Sequence, residues 1–118
     1  MKKILIIASF LSFAAPAFSA SFDCAKANTF VEKEICADPL LSALDSALAE
    51  NFRGMMTANF GGTPKSLKVE QLKWLKTRNK CSSNKCLVDL YRKRVDETCE
   101  YGVVSGVHPE CTLSEDIK

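Results

Sequence analysis

Six cysteines set the terms on which this chain can fold: Cys24, Cys36, Cys81, Cys86, Cys99 and Cys111. An apolar leader precedes them. A leader followed by an even number of cysteines points to an oxidising compartment, where thiols pair instead of staying reduced. Cross-links weigh heavily at this size. The chain has 118 residues, and a domain that small buries a limited core. A disulfide closing a loop of about 15 residues is worth roughly 3 kcal/mol. A whole small domain is stable by about 5–15 kcal/mol. Two or three such bonds therefore rival the net stability, whereas a surface ion pair adds about 0–1 kcal/mol.

Residues 1–19 read as a secretory signal. Lys2 and Lys3 supply the positive start, and Ile4 to Ala15 form an apolar run too short to span a bilayer comfortably. Ala17-Phe18-Ser19 has the small-any-small form of a cleavage site, so cleavage after Ser19 is expected. Cleavage one residue later would put bulky Phe18 where a small residue belongs. The short run and the cleavage site argue against an uncleaved anchor, and Ser21-Phe22-Asp23 ahead of Cys24 is no lipobox. Without the leader the chain loses Lys2 and Lys3, leaving 14 basic residues against 14 acidic ones. That balance excludes a nucleic-acid-binding charge pattern. No later apolar run is long enough to cross a membrane, so no membrane association is expected after cleavage.

The rest of the chain is patterned for helices. Thr29-Phe30-Val31-Glu32 has the form of a capping box and opens a short helix through Cys36. Asp38-Pro39 then restarts the helix, with Asp38 as cap and Pro39 at the first helical position. Leu41, Leu44, Leu48, Phe52 and Met55 step by three or four residues and form one apolar stripe, with Asp45, Ser46, Glu50 and Arg53 mostly off it. Asn59 to Lys65, containing Gly61-Gly62 and Pro64, reads as a loop. Ser66 is expected to cap a third helix whose buried side is marked by Leu67, Leu72 and Leu75, with Trp74 beside them. Asn84 is expected to cap a fourth, where Leu87, Leu90, Tyr91, Arg94, Val95 and Thr98 recur at helical spacing. Arg94 on that stripe can lay its stem on the core and keep its head in water. From Gly102 onward periodicity fades.

These signals predict an all-α fold: a small disulfide-stabilised bundle of three to four helices with an irregular C-terminal tail. Residues 1–19 are the leader, 20–100 the helical domain, and 101–118 a tail tethered by a disulfide. Six cysteines allow fifteen connectivities. Chain order favours the local set, Cys24–Cys36, Cys81–Cys86 and Cys99–Cys111, without excluding the others.

Three blocks of spaced residues carry a resemblance. The first runs Phe22-Asp23-Cys24-Ala25-Lys26-Ala27, Thr29, Glu32, Ile35-Cys36, Asp38-Pro39, Leu41-Ser42, Leu44-Asp45 and Leu48. The second is Gln71, Trp74-Leu75, Arg78-Asn79 and Cys81, and the third Cys86-Leu87, Tyr91 and Arg94. Together they resemble the LprI-type lysozyme-inhibitor family of bacterial exported proteins. The likeness spans about Phe22 to Arg94 and leaves the Cys99/Cys111 tail outside it. It implies a secreted or periplasmic helical domain, and a protein partner such as a lysozyme or another cell-wall hydrolase. It carries no catalytic residue onto this chain.

Catalytic chemistry finds little to build on. His108 is the sole histidine; without a second one, and with the cysteines paired, no metal set assembles, although Cys81 and Cys86 have loosely suitable spacing for zinc. No G-x-S-x-G motif occurs, and Asp38 and Glu32 already have capping roles, so no enzyme activity and no cofactor are expected. Candidate partner-binding residues are Trp74 and Arg78, four apart on one helix face, and Phe60 on the Gly61-Gly62 loop. A lone Trp in so small a domain is also wanted for packing, and that alternative is favoured for Trp74. The expected function is binding rather than catalysis, by filling a lysozyme cleft, with acids such as Glu50, Asp89, Glu97 or Glu100 expected to aid association with a basic lysozyme. The alternative is an envelope immunity or stress protein that neutralises another toxin or hydrolase.

Overall fold

The computed structural model describes residues 20–57, 63–101 and 110–118. Four α-helices follow in order: α1 (Phe30–Ala37), α2 (Pro39–Thr57), α3 (Pro64–Arg78) and α4 (Asn84–Cys99). Short 3-10 turns at Cys24–Lys26 and Ser114–Asp116 flank them. The fold is the expected small, disulfide-stabilised all-α bundle, and the described residues contain no strand.

Local chemistry explains each start. Thr29 Oγ1 accepts from Glu32 N–H at 3.1 Å and opens α1. The Glu32 carboxylate returns to the Thr29 hydroxyl at 2.9 Å, so the box closes side chain to side chain. Asp38 ends α1 and starts α2, its carboxylate accepting from Leu40 N–H at 2.9 Å. Two caps differ from expectation. Thr63, not Ser66, caps α3, because Pro64 occupies the first helical position instead of breaking the chain. Ser83, not Asn84, caps α4. Asn84 is thereby released to reach back to Glu34 and Asp38 at 3.0 and 2.8 Å.

The core is the seam between α2 and α4, closed at one end by α1. Ile35, Leu41, Leu44, Leu87, Tyr91 and Val95 are fully buried there. The buried arc of α2 is wider than its apolar stripe and includes Ser42, Asp45 and Asn51. Asp45, expected on the polar side, is only 4 % exposed. It sits about 60° from the centre of the stripe at about 100° per residue, and neighbours on two sides enclose that flank. Leu72, expected inside, is 59 % exposed. It lies five residues after Leu67, a step that leaves the buried face, which runs instead through Leu67, Gln71, Trp74, Leu75 and Arg78. Arg94 does lay its stem inward and bonds Gln71 Oε1 through Nε and Nη2 at 3.1 and 3.0 Å.

All six cysteines are paired, as Cys24–Cys36, Cys81–Cys86 and Cys99–Cys111, with Cα separations of 5.8, 5.6 and 5.3 Å. Three disulfides fit an oxidising extracellular or periplasmic environment. The tail is held by more than its disulfide. Asn51 Nδ2 donates to Thr112 O at 2.9 Å and Thr112 N–H returns to Asn51 Oδ1 at 3.1 Å. Asp96 accepts from Ser114 N–H and Oγ at 2.7 and 2.8 Å, and Arg92 donates to Ser114 O at 2.7 Å. Ile117 then packs against the core. His108 lies outside the described residues.

Non-reducing peptide mapping should return the three local cross-links and none joining Cys24 to Cys81 or Cys86. Loop length ranks their contributions: replacing Cys24 and Cys36 by Ala should cost about 3 kcal/mol, and replacing Cys81 and Cys86 about 2 kcal/mol, in urea unfolding. Leu44→Ala should cost about 2–5 kcal/mol by the same measurement.

Candidate functional site

The site grows from how α3 meets the bundle. Leu67 near its start and Arg78 at its end are both buried. Between them α3 stands away from α2 and leaves a groove of about 480 Å³. Leu48, Phe52 and Met56 of α2 and Trp74 and Leu75 of α3 line it, with Arg53 also on its wall. A smaller apolar hollow bordered by Phe52, Lys68 and Leu72 continues from it.

A buried chain of polar groups forms the floor. Tyr91 Oη, from α4, donates to Asp45 Oδ1 at 2.7 Å. Arg78 Nη1 donates to Tyr91 Oη at 3.1 Å and turns its Nε and Nη2 to Asn79 Oδ1 at 3.1 and 2.9 Å. Ser21 N–H, from the lead-in, donates to the other Asp45 oxygen. The Trp74 ring meets the Tyr91 ring edge-on, with centroids 5.0 Å apart at 81°. Among the described residues no buried side-chain nitrogen or oxygen lacks a partner. Burial first, and the Asp45 charge second, push the Tyr91 hydroxyl well above its ordinary range, with Arg78 opposing them. The phenol therefore stays protonated and acts as a fixed donor to Asp45. It is built for positioning and does not release its proton near neutrality.

The outer side of α3 has a different character. Lys65, Lys68, Lys73 and Lys76 lie at steps of three, five and three residues on the face that carries Val69 and Leu72, with Lys80 just beyond the helix, and all are exposed. Val69 and Leu72 are 44 % and 59 % exposed. None of these five lysines has an ion-pair partner among the described residues, and Glu70 is the one acid on the helix. The bland account of such a charge run is a solvated face. The acids expected to aid association stand elsewhere. Asp89 pairs with Lys85 at 2.7 Å, and Glu97 with Lys93 and Arg94 at 3.9 and 3.4 Å, all along α4.

Of the sequence-derived candidates, Trp74 and Arg78 are brought together at the groove. Trp74 is half-buried on Tyr91, while Arg78 is spent on Tyr91 and Asn79 instead of presenting its guanidinium to solvent. Phe60 lies outside the described residues. The sequence pattern does not mark Asp45 and Tyr91 as site residues; the one signal is that Asp45 follows Leu41 by four and precedes Leu48 by three. The described residues hold no cluster of three or more His, Cys, Asp or Glu placed to bind a metal ion.

Tyr91 yields a pH signature. Its raised folded value means that its contribution to stability is complete below the unfolded value of about 10 and is lost as pH climbs past it. Urea midpoints should drop above that pH in the native chain, and Tyr91→Phe should remove this component of the drop. At neutral pH Tyr91→Phe should cost about 1–3 kcal/mol, because Asp45 and Arg78 lose a buried partner.

Compared with protein-family models, with curated proteins and with solved structures, the chain matches none.

Proposed function

We propose that this protein acts by binding, and that it occludes the cleft of a lysozyme-like cell-wall glycosidase. The carrying observation is the row of unpaired lysines on α3 beside an apolar groove. Glycosidases of this kind cut with two carboxylates set in a cleft. A helix that carries cations with Val69 and Leu72 among them complements such a cleft in charge, and Trp74 and Phe52 at the groove supply apolar area. Charge complementarity of this sort chiefly speeds encounter and fixes orientation.

The spaced cysteines and the Trp74-Leu75, Arg78-Asn79 block support the same reading through their resemblance to the LprI-type family, which is named for inhibition of lysozyme. The pattern of charges changes the expected polarity of the contact. Asp89 and Glu97 are engaged within α4, so the lysines of α3, and not those acids, lead the approach. Phe60, between α2 and α3 in the chain, remains a proposed partner contact on sequence grounds. Export through the leader at 1–19 and residence in the bacterial periplasm or outside the cell belong to this proposal too.

The measurement is the rate at which several lysozyme types clear bacterial cell walls, with and without the purified protein. Slowing is expected for at least one of them. Lys73→Glu with Lys76→Glu should weaken that inhibition about tenfold or more while leaving the melting temperature unchanged, since both side chains are exposed and unpaired. Lys33→Glu on α1 serves as the control. No slowing at large excess over every lysozyme tested would reject the reading.

A further inference from the structure

Asp45 is a buried carboxylate with no cation in contact. It is 4 % exposed, and both of its donors, Tyr91 Oη and Ser21 N–H, are neutral. The Arg78 guanidinium sits on the far side of the Tyr91 hydroxyl, and no ion pair among the described residues includes Asp45. A charge held in this way has lost its water without a touching counter-charge, an arrangement that is costly to maintain. The backbone beside it is the head of the domain. Ser21 supplies the N–H, and Ala20 before it is buried in the core. The Ala20 nitrogen lies one residue from the nitrogen that bonds Asp45, within about 3.5 Å by chain geometry.

We infer that hydrolysis of the Ser19–Ala20 bond completes this site, and that the α-ammonium released on Ala20 is the counter-charge of Asp45. In that step a peptidase adds water across the amide. The new carboxylate leaves on Ser19 with the leader, and the amine stays on Ala20 and takes up a proton at neutral pH. In the uncut chain the same nitrogen is a neutral amide. Removal of the leader thus leaves the Ser21 contact in place and sets a cation beside Asp45 at the point where the lead-in, α2 and α4 meet, so the domain reaches full stability only once it has been processed. The inference rests on reading residues 1–19 as a cleaved leader and does not depend on the identity of the partner.

The sign of one titration decides it. The charged and titratable groups around the ammonium are Asp45 from α2, Tyr91 from α4, and Arg78 at the end of α3, with Arg53 on the groove wall. Burial and the two arginines lower an amine's pKa, and only Asp45 raises it. An ordinary α-amine titrates near 7.7–8.0, to within about half a unit. Raised above that, it adds stability that is complete below the ordinary value and is lost as pH rises through the raised one.

The experiment uses the exported protein. Intact mass and N-terminal sequencing should give a start at Ala20; a start at Ser21 keeps the ammonium on the atom that already touches Asp45. A start at Met1, or beyond Ser21, overturns the inference. The α-amine is then titrated by NMR in protein labelled with 15N-alanine (15N-serine for a Ser21 start). An upward shift of about one unit or more is expected, with return to the ordinary range in Asp45→Asn. A native value at or below the ordinary range overturns the inference, and where Asp45→Asn does not fold that native titration decides alone. As a second readout, a chain with two extra residues ahead of Ala20 should melt lower than the mature chain at pH 7 and equally at alkaline pH; identical melting at both overturns it.

Discussion

The Tyr91 hydroxyl is the point on which the bundle's third helix depends. α1, α2 and α4 meet through continuous apolar surfaces, so their packing follows from ordinary burial at roughly 25 cal/mol per Å². α3 has no such surface. Leu67, Trp74 and Leu75 are its apolar footholds, and its end is held by Arg78 bonding a phenol that is itself bonded to Asp45. The same contact closes the Trp74 edge over the Tyr91 ring. One buried oxygen therefore ties α2, α3 and α4 together, and the lead-in joins them through Ser21. Because α3 is footed at its two ends, a groove stays open between them.

The disulfides do a different job from that central contact. Each closes a short loop at the margin of the core. Cys24–Cys36 holds the lead-in against α1, Cys81–Cys86 staples the turn before α4, and Cys99–Cys111 returns the tail to the end of α4. In chain-entropy terms, short loops contribute modestly each, but a domain with little core depends on their sum. The tail shows why a cross-link alone is an incomplete description. Asn51, Asp96 and Arg92 clamp Thr112 and Ser114 by hydrogen bonds, so the segment is ordered by polar contacts around the bond.

Charge is distributed with the same division. With the leader set aside, basic and acidic residues balance, yet the balance is not local. Along α4 acids and bases neutralise one another at three-to-four spacing. Along α3 Lys65, Lys68, Lys73 and Lys76 face solvent with Glu70 as the single acid. The least firmly packed helix thus carries the least compensated charge and borders the groove. Apolar groove, uncompensated cations and weakly packed backbone thus coincide at α3, and the proposed binding role rests on that coincidence.

Local rules carried much of the fold. The capping box at Thr29 and Glu32, the Asp38-Pro39 restart and the Leu41-to-Met55 stripe are short-range features that chain order is enough to read, whereas chain order only favours the pairing of neighbouring cysteines, which the structure fixes. The misplaced caps at Ser66 and Asn84 erred by one to three residues, because several capping residues stood close together and only backbone geometry chooses among them. Of the site, Trp74 and Arg78 were legible as a pair on one helix face. Their destination was not, since periodicity says which residues share a face and not what that face meets. A lone carboxylate near an apolar stripe is ordinarily wet, so the pattern places Asp45 on the polar side of α2. Its burial, its bond to Tyr91 across forty-six residues of chain and its approach to the head of the domain were decided by tertiary structure. Only there do the Tyr91 hydroxyl and the Ser21 N–H converge on it.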